Sequence, residues 1–166
     1  MSDLPEPIPA ATLVLMREGG GAAPELLMME RTGHMAFAAG ALVFPGGRID
    51  ADDRAAATAF SDHADAAARI AAVRETIEET GVPPAISPAA DAATVRALRD
   101  GIERGEPFLN LLDAHGLALD LDALTAFARW CPNFRETRRF DTLFYLAQAP
   151  AEAPAPSAAE HEAERV

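Results

Sequence analysis

The segment RETIEETGV, residues 74–82, constrains the fold most, because it places three glutamates in the last turn of a helix. These acids are Glu75, Glu78 and Glu79. Gly81 and the following Pro83-Pro84 end the helix directly after them. At that end the helix macrodipole disfavours each anion by about 0.3–1 kcal/mol at an exposed site. A cation or a special environment must therefore compensate this turn.

The residues before this turn predict the rest of the helix, over positions 61–80 with Ser61 or Asp62 as its cap. Its apolar stripe at helical spacing consists of Ile70, Val73 and Ile77. At about 100° per residue the acids centre on nearly the opposite face. One face is predicted to enter a core, and the other to present the three glutamates.

Charge and composition exclude several classes of protein. The 166 residues carry a formal net charge of −12 and are 49% hydrophobic, which indicates one globular domain that would repel a polyanion such as nucleic acid. The one cysteine, Cys131, excludes a disulfide framework and favours a reducing compartment. The first ten residues lack the pattern of a signal peptide, and no apolar run is long enough to span a bilayer. We therefore predict a cytoplasmic protein that does not bind membranes.

The remaining pattern predicts a mixed α/β domain over residues 11–149, after a leader at 1–10 and before an acidic Pro/Ala-rich tail at 150–166. The tail composition predicts a solvated or disordered segment. Strands are predicted at 11–17, 25–31, 41–44 and 138–148. A helical insert is predicted at about 91–129, with helices at 91–104, 106–115 and 120–129 broken by Gly101, Gly105 and Gly116.

Three acids on one turn ordinarily form a solvated face, but two features point to a metal site. The acids lie at the unfavourable end of the helix, and Arg74 stands four residues before Glu78, where it can brace a carboxylate. A hard divalent cation such as Mg²⁺ takes oxygen ligands and is commonly held by one or two carboxylates together with substrate phosphates. The chemistry thus favours Mg²⁺ or Mn²⁺ at Glu75, Glu78 and Glu79.

Upstream, VFPGGRIDADD, residues 43–53, supplies a second part. Gly46 and Gly47 permit a bend and a close backbone approach to a metal or phosphate. Three further carboxylates follow at Asp50, Asp52 and Asp53.

The ordered pair FPGG and RETIEETGV resembles the Nudix box of the Nudix hydrolases, G-x5-E-x7-R-E-U-x-E-E-x-G-U, where U is a bulky apolar residue. Gly47 matches the opening glycine, Asp53 replaces the first glutamate, and Thr76 stands at the first U position. The spacer at residues 54–73 holds 20 residues where the pattern has seven. We expect the extra segment, placed at 54–66, to be tolerated loop and helix extension outside the metal site.

The stretch LLMMERTGHMAFAAGALVFPGG, ending at Gly47, is similar to the motif before the box in coenzyme A diphosphatases of this family. The residues in register are Arg31, Thr32, Gly40, Phe44, Pro45, Gly46 and Gly47. Ala36 stands where the motif has a second arginine. The long spacer, the helical insert and RRFDTLFYLA resemble the branch of peroxisomal-type coenzyme A diphosphatases and their bacterial relatives.

The resemblance implies a Nudix-type α/β/α sandwich and divalent-metal-dependent hydrolysis of a diphosphate linkage in a small nucleoside diphosphate derivative. It assigns metal binding chiefly to Glu75 and Glu79, with Glu78 as a further ligand or as the group that activates water. Arg74 would orient these carboxylates, and Asp53 is the weaker candidate because its side chain is shorter and the insertion alters its link to the helix. Substrate contacts are expected at Arg31, Phe44, Gly46 and Gly47.

Alternatives stay open at this point. The substrate could be coenzyme A, an acyl-coenzyme A, ADP-ribose, NADH or a dinucleoside polyphosphate, and a homodimer is compatible with the sequence. The resemblance also implies a further strand and a C-terminal helix beyond Val166, so a fragment that forms only a non-catalytic binding domain is the competing hypothesis. A late glutamate could complete the site, and the candidates are Glu160, Glu162 and Glu164.

Overall fold

The computed structural model describes residues 4–21, 23–31, 41–133, 138–158 and 163–165, with the backbone alone for residues 31 and 163–165. Its strands are β1 (Ile8–Arg17), β2 (Glu25–Leu26), β3 (Met29–Arg31), β4 (Leu42–Val43), β5 (Gly46–Arg48), β6 (Ile86–Ser87), β7 (Ala118–Leu119), β8 (Thr125–Trp130), β9 (Phe140–Gln148) and β10 (Ala163–Arg165). Its α-helices are α1 (Ala51–Ala56), α2 (Ala66–Thr80), α3 (Ala92–Glu103) and α4 (Phe108–Ala114).

The main sheet is mixed, as the sequence predicted. Its strand order is β2-β1-β9-β8, and β5 also pairs with β1. The two central strands, β1 and β9, are parallel, whereas β2, β5 and β8 pair antiparallel with their neighbours. Two smaller sheets contain β10-β3-β4 and β6-β7. Because β5 pairs with β1, the two glycines of the FPGG turn are hydrogen-bonded to a central strand of the main sheet.

The core lies between the main sheet and α2, the helix that packs against β1, β5 and β9. The predicted stripe is confirmed, because Ile70, Val73 and Ile77 are all fully buried. Leu13 and Tyr145 face this helix from the two central strands and are also fully buried. Within the described ranges, no helix combines the length and apolarity needed to cross a bilayer.

Three local predictions are wrong. The segment at 120–129 is not a helix, since residues 121–123 form one 3₁₀ turn and β8 follows, pairing with β9. Cross-strand pairing overrides the helix propensity of its alanines, as tertiary context often does. The predicted strand at 25–31 is divided between β2 and β3, which belong to different sheets. Gly101 does not break α3, because it lies inside that helix with its Cα side packed against Leu111.

Residues 150–158 of the tail are exposed or half-buried, as a solvated segment would be, but they are also bonded to the domain. The Ser157 amide donates a hydrogen bond of 2.8 Å to the carbonyl of Thr80, the last residue of α2. Further on, β10 pairs antiparallel with β3. Backbone hydrogen bonds to two separate elements hold this segment against the domain, which its Pro/Ala/Glu composition alone could not indicate.

The helix α2 begins later than predicted, at Ala66, with Asp65 as the N-cap position instead of Ser61 or Asp62. The Asp65 carboxylate accepts hydrogen bonds from Arg69 Nε at 2.8 Å and from the Tyr145 hydroxyl at 2.8 Å. The Arg69 guanidinium also lies over the Tyr145 ring, 5.1 Å from its centroid. This partly buried polar cluster joins the start of α2 to β9.

We expect Asp65→Asn to lower the free energy of unfolding by about 1 kcal/mol at pH 7, because a hydrogen bond to a charged group contributes more to stability than one to a neutral group. Burial raises the pKa of Asp65, but hydrogen bonds from Arg69 and Tyr145 outweigh burial and hold that pKa below its ordinary value. A lowered carboxyl pKa stabilises the fold above the unfolded-state pKa, and this stabilisation is lost as pH falls through the folded-state value. Urea unfolding at pH 7 and between about pH 5 and pH 2.5 measures the free energies of unfolding of variant and wild type. The difference between them should become smaller below about pH 4.

The matched control is Asp62→Asn, which alters an exposed carboxylate in the same connection. It should change stability by less than about 0.5 kcal/mol at every pH. A gap that stayed constant from neutral to acidic pH would show that the Asp65 charge does not stabilise the fold. The expectation that 54–66 lies outside the metal site stays a prediction, and a loss of about 1 kcal/mol at Asp65 is compatible with it, because a loss of that size is the usual effect of removing a helix cap.

Candidate active site

The last two turns of α2 hold the predicted carboxylates around one guanidinium. Arg74 Nη1 lies 2.9 Å from Glu75 Oε1 and 3.3 Å from Glu78 Oε2. The prediction that Arg74 can brace a carboxylate of this turn is confirmed, since the guanidinium reaches both Glu78 and its sequence neighbour Glu75. The expectation that all three acids face outward is wrong, because Glu79 is only 7% exposed. The glutamates lie beneath β5, the strand that packs on this helix.

Arg74 also joins the two separated halves of the box. Its Nε and Nη2 atoms each donate a hydrogen bond of 3.0 Å to Asp53, one to each carboxylate oxygen. The Asp53 side chain is 1% exposed and also accepts the Asp50 amide at 2.9 Å. Asp53 lies in α1, which packs against α2. The long spacer therefore does not separate Asp53 from the helix that carries Arg74. The expectation that the insertion alters the link between Asp53 and the helix is therefore wrong.

The Gly46-Gly47 turn lies directly against the carboxylates. The Gly46 amide donates a hydrogen bond of 2.9 Å to Glu79 Oε2. A Cβ atom added at Gly47 would lie 2.5 Å from the carboxyl carbon of Glu75, and one added at Gly46 would lie 2.4 Å from the Ala11 carbonyl oxygen. A side chain at position 46 would meet the backbone of β1, whereas one at position 47 would displace the Glu75 carboxylate.

The electrostatics of the cluster are dominated by Arg74, whose side chain is 11% exposed. Burial lowers the pKa of this guanidinium, but hydrogen bonding to Asp53 and the charges of Glu75 and Asp53 outweigh burial and raise it. Arg74 is therefore charged at every pH at which the protein is folded. Its positive charge supplies part of the compensation that this end of the helix needs, since it offsets part of the repulsion among the acids.

A cavity of about 160 Å³ opens beside this network. Arg74 and Glu78 reach it from α2, while Ile102 and Phe108 supply an apolar side from the two inserted helices. The other charged residues of its wall are Asp50, Asp52, Asp53 and Glu106. With one arginine against five carboxylates, this space favours a cation beside any anionic ligand.

The donor set of the turn fits a hard divalent cation. All of its side-chain donors are carboxylate oxygens, and Glu78, with its side chain 33% exposed, is the one of the three glutamates that lines the cavity. Over the described ranges, no group of three or more His, Cys, Asp or Glu side chains is already gathered around a common metal position. Carboxylate oxygens are nevertheless the donors that hard divalent cations take, and waters and substrate phosphates commonly complete such a site.

The other predicted site residues are distributed as follows. Phe44 precedes β5 and is half-buried. The arginine at position 31 lies in β3, where only its backbone is described. Residues 32–40, which include Thr32, Ala36 and Gly40, and the late acids at 160 and 162 lie outside the described residues, whereas position 164 falls in β10 with its backbone alone described. Asp53, the weaker candidate in the sequence, is the residue that binds Arg74 through two hydrogen bonds, and its position in the box was the signal for this contact.

Solved structures with the same fold define the class of protein. A NUDIX hydrolase from Alicyclobacillus acidocaldarius matches with a TM-score of 0.80 and 29% identity, over 96% of this chain and 77% of that one. A MutT/nudix family protein from Enterococcus faecalis matches with a TM-score of 0.54 and 16% identity, over 98% of this chain and 43% of that one. The predicted Nudix-type α/β fold is thus confirmed.

A sequence relative then gives the family. The acyl-coenzyme A diphosphatase NUDT19 from Homo sapiens is 32% identical over an alignment 176 residues long, which covers 73% of this chain. The chain spans 47% of the length of that relative. A scan against protein-family models finds no match. With the box residues assembled around Arg74 and the fold shared, the chain belongs to the Nudix hydrolase family.

Proposed function

We propose that this protein hydrolyses a diphosphate linkage in a nucleoside diphosphate derivative, with coenzyme A or an acyl-coenzyme A as the first candidate substrate. The observation that carries the proposal is the network in which Arg74 gathers Asp53, Glu75 and Glu78 against the Gly46-Gly47 backbone. A structural ion-pair cluster would not need its acids beside an open cavity. The similarity to NUDT19, named as an acyl-coenzyme A diphosphatase, supports the substrate class.

Glu75 and Glu79 would hold Mg²⁺ or Mn²⁺, with Glu78 as a further ligand or as the base toward water. A divalent cation bound there would neutralise phosphate charge and lower the pKa of a bound water. Arg74 keeps Glu75 and Glu78 in fixed rotamers, and the Gly46 amide holds Glu79 by its Oε2 atom. Fixed ligands of this kind are what preserve reactive geometry in a hydrolytic site.

The metal assignment is tested by Glu79→Gln, which keeps an oxygen acceptor for the Gly46 amide and removes the charge. We expect Mn²⁺ affinity to fall by at least about tenfold, because carboxylate charge dominates the binding of hard cations. Calorimetric titration of the folded proteins measures this difference. The control is Glu103→Gln, which removes an exposed carboxylate from α3 and should leave the affinity unchanged. Equal affinity of Glu79→Gln and wild type would place the metal elsewhere.

The substrate is tested with a metal-supplemented panel of coenzyme A, acyl-coenzyme A, ADP-ribose, NADH and diadenosine polyphosphates. We expect slow cleavage of coenzyme A species to adenosine 3′,5′-bisphosphate and a phosphopantetheine product, because Ala36 replaces an arginine of the motif. A lost charge-assisted contact weakens binding by about 1.5–3 kcal/mol, or about tenfold to hundredfold. Much faster cleavage of ADP-ribose or NADH would refute the coenzyme A assignment. Cleavage of no substrate would favour the binding-domain hypothesis.

A further inference from the structure

The C-terminal carbonyls of α2 receive much of their hydrogen bonding from outside the helix. The last four carbonyl groups of any α-helix lack the usual partner within it. In α2 the Ile77 carbonyl accepts the Gly81 amide at 2.9 Å, whereas the Glu78 and Thr80 carbonyls are bonded by residues far along the chain. The segment that carries the glutamates is therefore held by two later segments.

Arg99 supplies the contact to Glu78. Its Nε atom donates a hydrogen bond of 3.0 Å to the Glu78 carbonyl oxygen, and its Nη1 atom donates one of 2.9 Å to the Ser157 hydroxyl. The Ser157 amide in turn donates a hydrogen bond to the Thr80 carbonyl oxygen. Arg99, Ser157 and the end of α2 thus form one closed set of hydrogen bonds that ties the inserted helix and the tail to the glutamate turn.

The guanidinium is placed by a rigid support. Val95 and Leu98 bury one side of α3 in the core, at 3% and 0% exposure, and Arg99 follows directly. Gly81 takes the left-handed conformation, with φ of 69°, and a Cβ there would lie 3.2 Å from the Ser157 hydroxyl and 3.4 Å from Arg99 Nη1. Gly81 is favoured by its positive φ, and Arg99 and Ser157 lie directly against it.

The charge of Arg99 also suits this position. The C-terminal end of α2 carries the negative end of the macrodipole as well as three carboxylates, and cations are favoured there. Arg74 braces the Glu78 side chain, whereas Arg99 braces the Glu78 backbone. The two arginines therefore hold the same residue, one at its carboxylate and the other at its carbonyl oxygen.

We propose that Arg99 is a positioning residue of the active site, which fixes the last turn of α2 and thereby the orientation of Glu78 and Glu79 toward the metal. This role rests on the proposed function. It gives the helical insert and the tail a part in the catalytic geometry, although neither belongs to the box.

The test compares Arg99→Gln and Arg99→Lys with Arg96→Gln, which removes an exposed arginine three residues earlier on the same helix. Three quantities are measured on protein shown to be folded by circular dichroism. They are hydrogen exchange at residues 78–82 without metal, Mn²⁺ affinity by calorimetry, and kcat and KM for the best substrate of the panel. Arg99→Gln is expected to speed exchange about tenfold, weaken Mn²⁺ binding at least threefold, and lower kcat about tenfold with KM within threefold of wild type.

Arg99→Lys keeps the cation and one donor, so its kcat should recover to within threefold of wild type, and Arg96→Gln should match wild type in all three measurements. Faster exchange with unchanged Mn²⁺ affinity and kcat would mean that Arg99 only caps the helix, and would overturn the proposal. Unchanged exchange would overturn it as well. If wild type binds Mn²⁺ but cleaves no substrate, the proposed function fails, and the Mn²⁺ affinity of Arg99→Gln still decides the positioning role.

Discussion

Replacing Gly47 with alanine is expected to lower kcat/KM by about 100-fold or more, because a displacement of about 1 Å in a reactive group can have an effect of that size. The added Cβ would lie 2.5 Å from both the carboxyl carbon and Oε1 of Glu75, and 2.7 Å from Oε2. Glu75 would have to leave its place beside Arg74, and Mn²⁺ affinity should fall together with turnover. Steady-state kinetics and calorimetric titration of the folded variant measure both effects.

Two other glycines supply the controls. Gly21→Ala adds a methyl group where no atom lies within 4 Å, so it should behave as wild type. Gly46→Ala would place its Cβ 2.4 Å from the Ala11 carbonyl oxygen, a backbone atom of β1, so it should destabilise the whole sheet. A folded Gly47→Ala protein with wild-type kcat/KM and Mn²⁺ affinity would remove Glu75 from the site.

Removing the Arg74 guanidinium should destabilise the fold by about 3–5 kcal/mol, the usual effect of leaving a buried charge without its partner. Arg74→Met leaves Asp53, whose side chain is 1% exposed, without its two 3.0 Å hydrogen bonds. The double variant Arg74→Met/Asp53→Leu removes both charges and should regain at least about 1–2 kcal/mol of the loss, since apolar replacement of a buried pair is often neutral or stabilising. Urea unfolding of wild type, Arg74→Met, Asp53→Leu and the double variant gives the coupling energy in a double-mutant cycle.

The matched control is Arg17→Met, at an ion pair in which the arginine and glutamate side chains are 66% and 52% exposed. Its loss should be below about 1 kcal/mol, because exposed pairs contribute little. Equal losses for Arg74→Met and Arg17→Met, or a double variant no more stable than Arg74→Met, would contradict a buried pair between Arg74 and Asp53.

The glutamate turn could be predicted because its signals are local. Helical spacing fixes which of Ile70, Val73 and Ile77 share a face, and Gly81 with the two prolines fixes where the helix ends. The family resemblance added the order of the box, and so placed Gly47 and Glu75 in one site before their close approach was visible. The helix predicted at 120–129 is wrong for the opposite reason. Its alanines favour a helix, and only the pairing of β8 with β9 makes residues 125–130 a strand.

By itself, the sequence determined the family, the mixed α/β class and the residue types of the site, since each depends on short-range spacing or on a motif. The tertiary structure decided which groups meet. Asp53 reaches Arg74 across a 20-residue spacer because α1 packs on α2, and Arg99 reaches Glu78 because α3 is anchored in the core. Both contacts join residues 21 positions apart through side-chain hydrogen bonds, and no local propensity or periodicity encodes such a distance. They follow only when burial of the apolar faces brings the helices together.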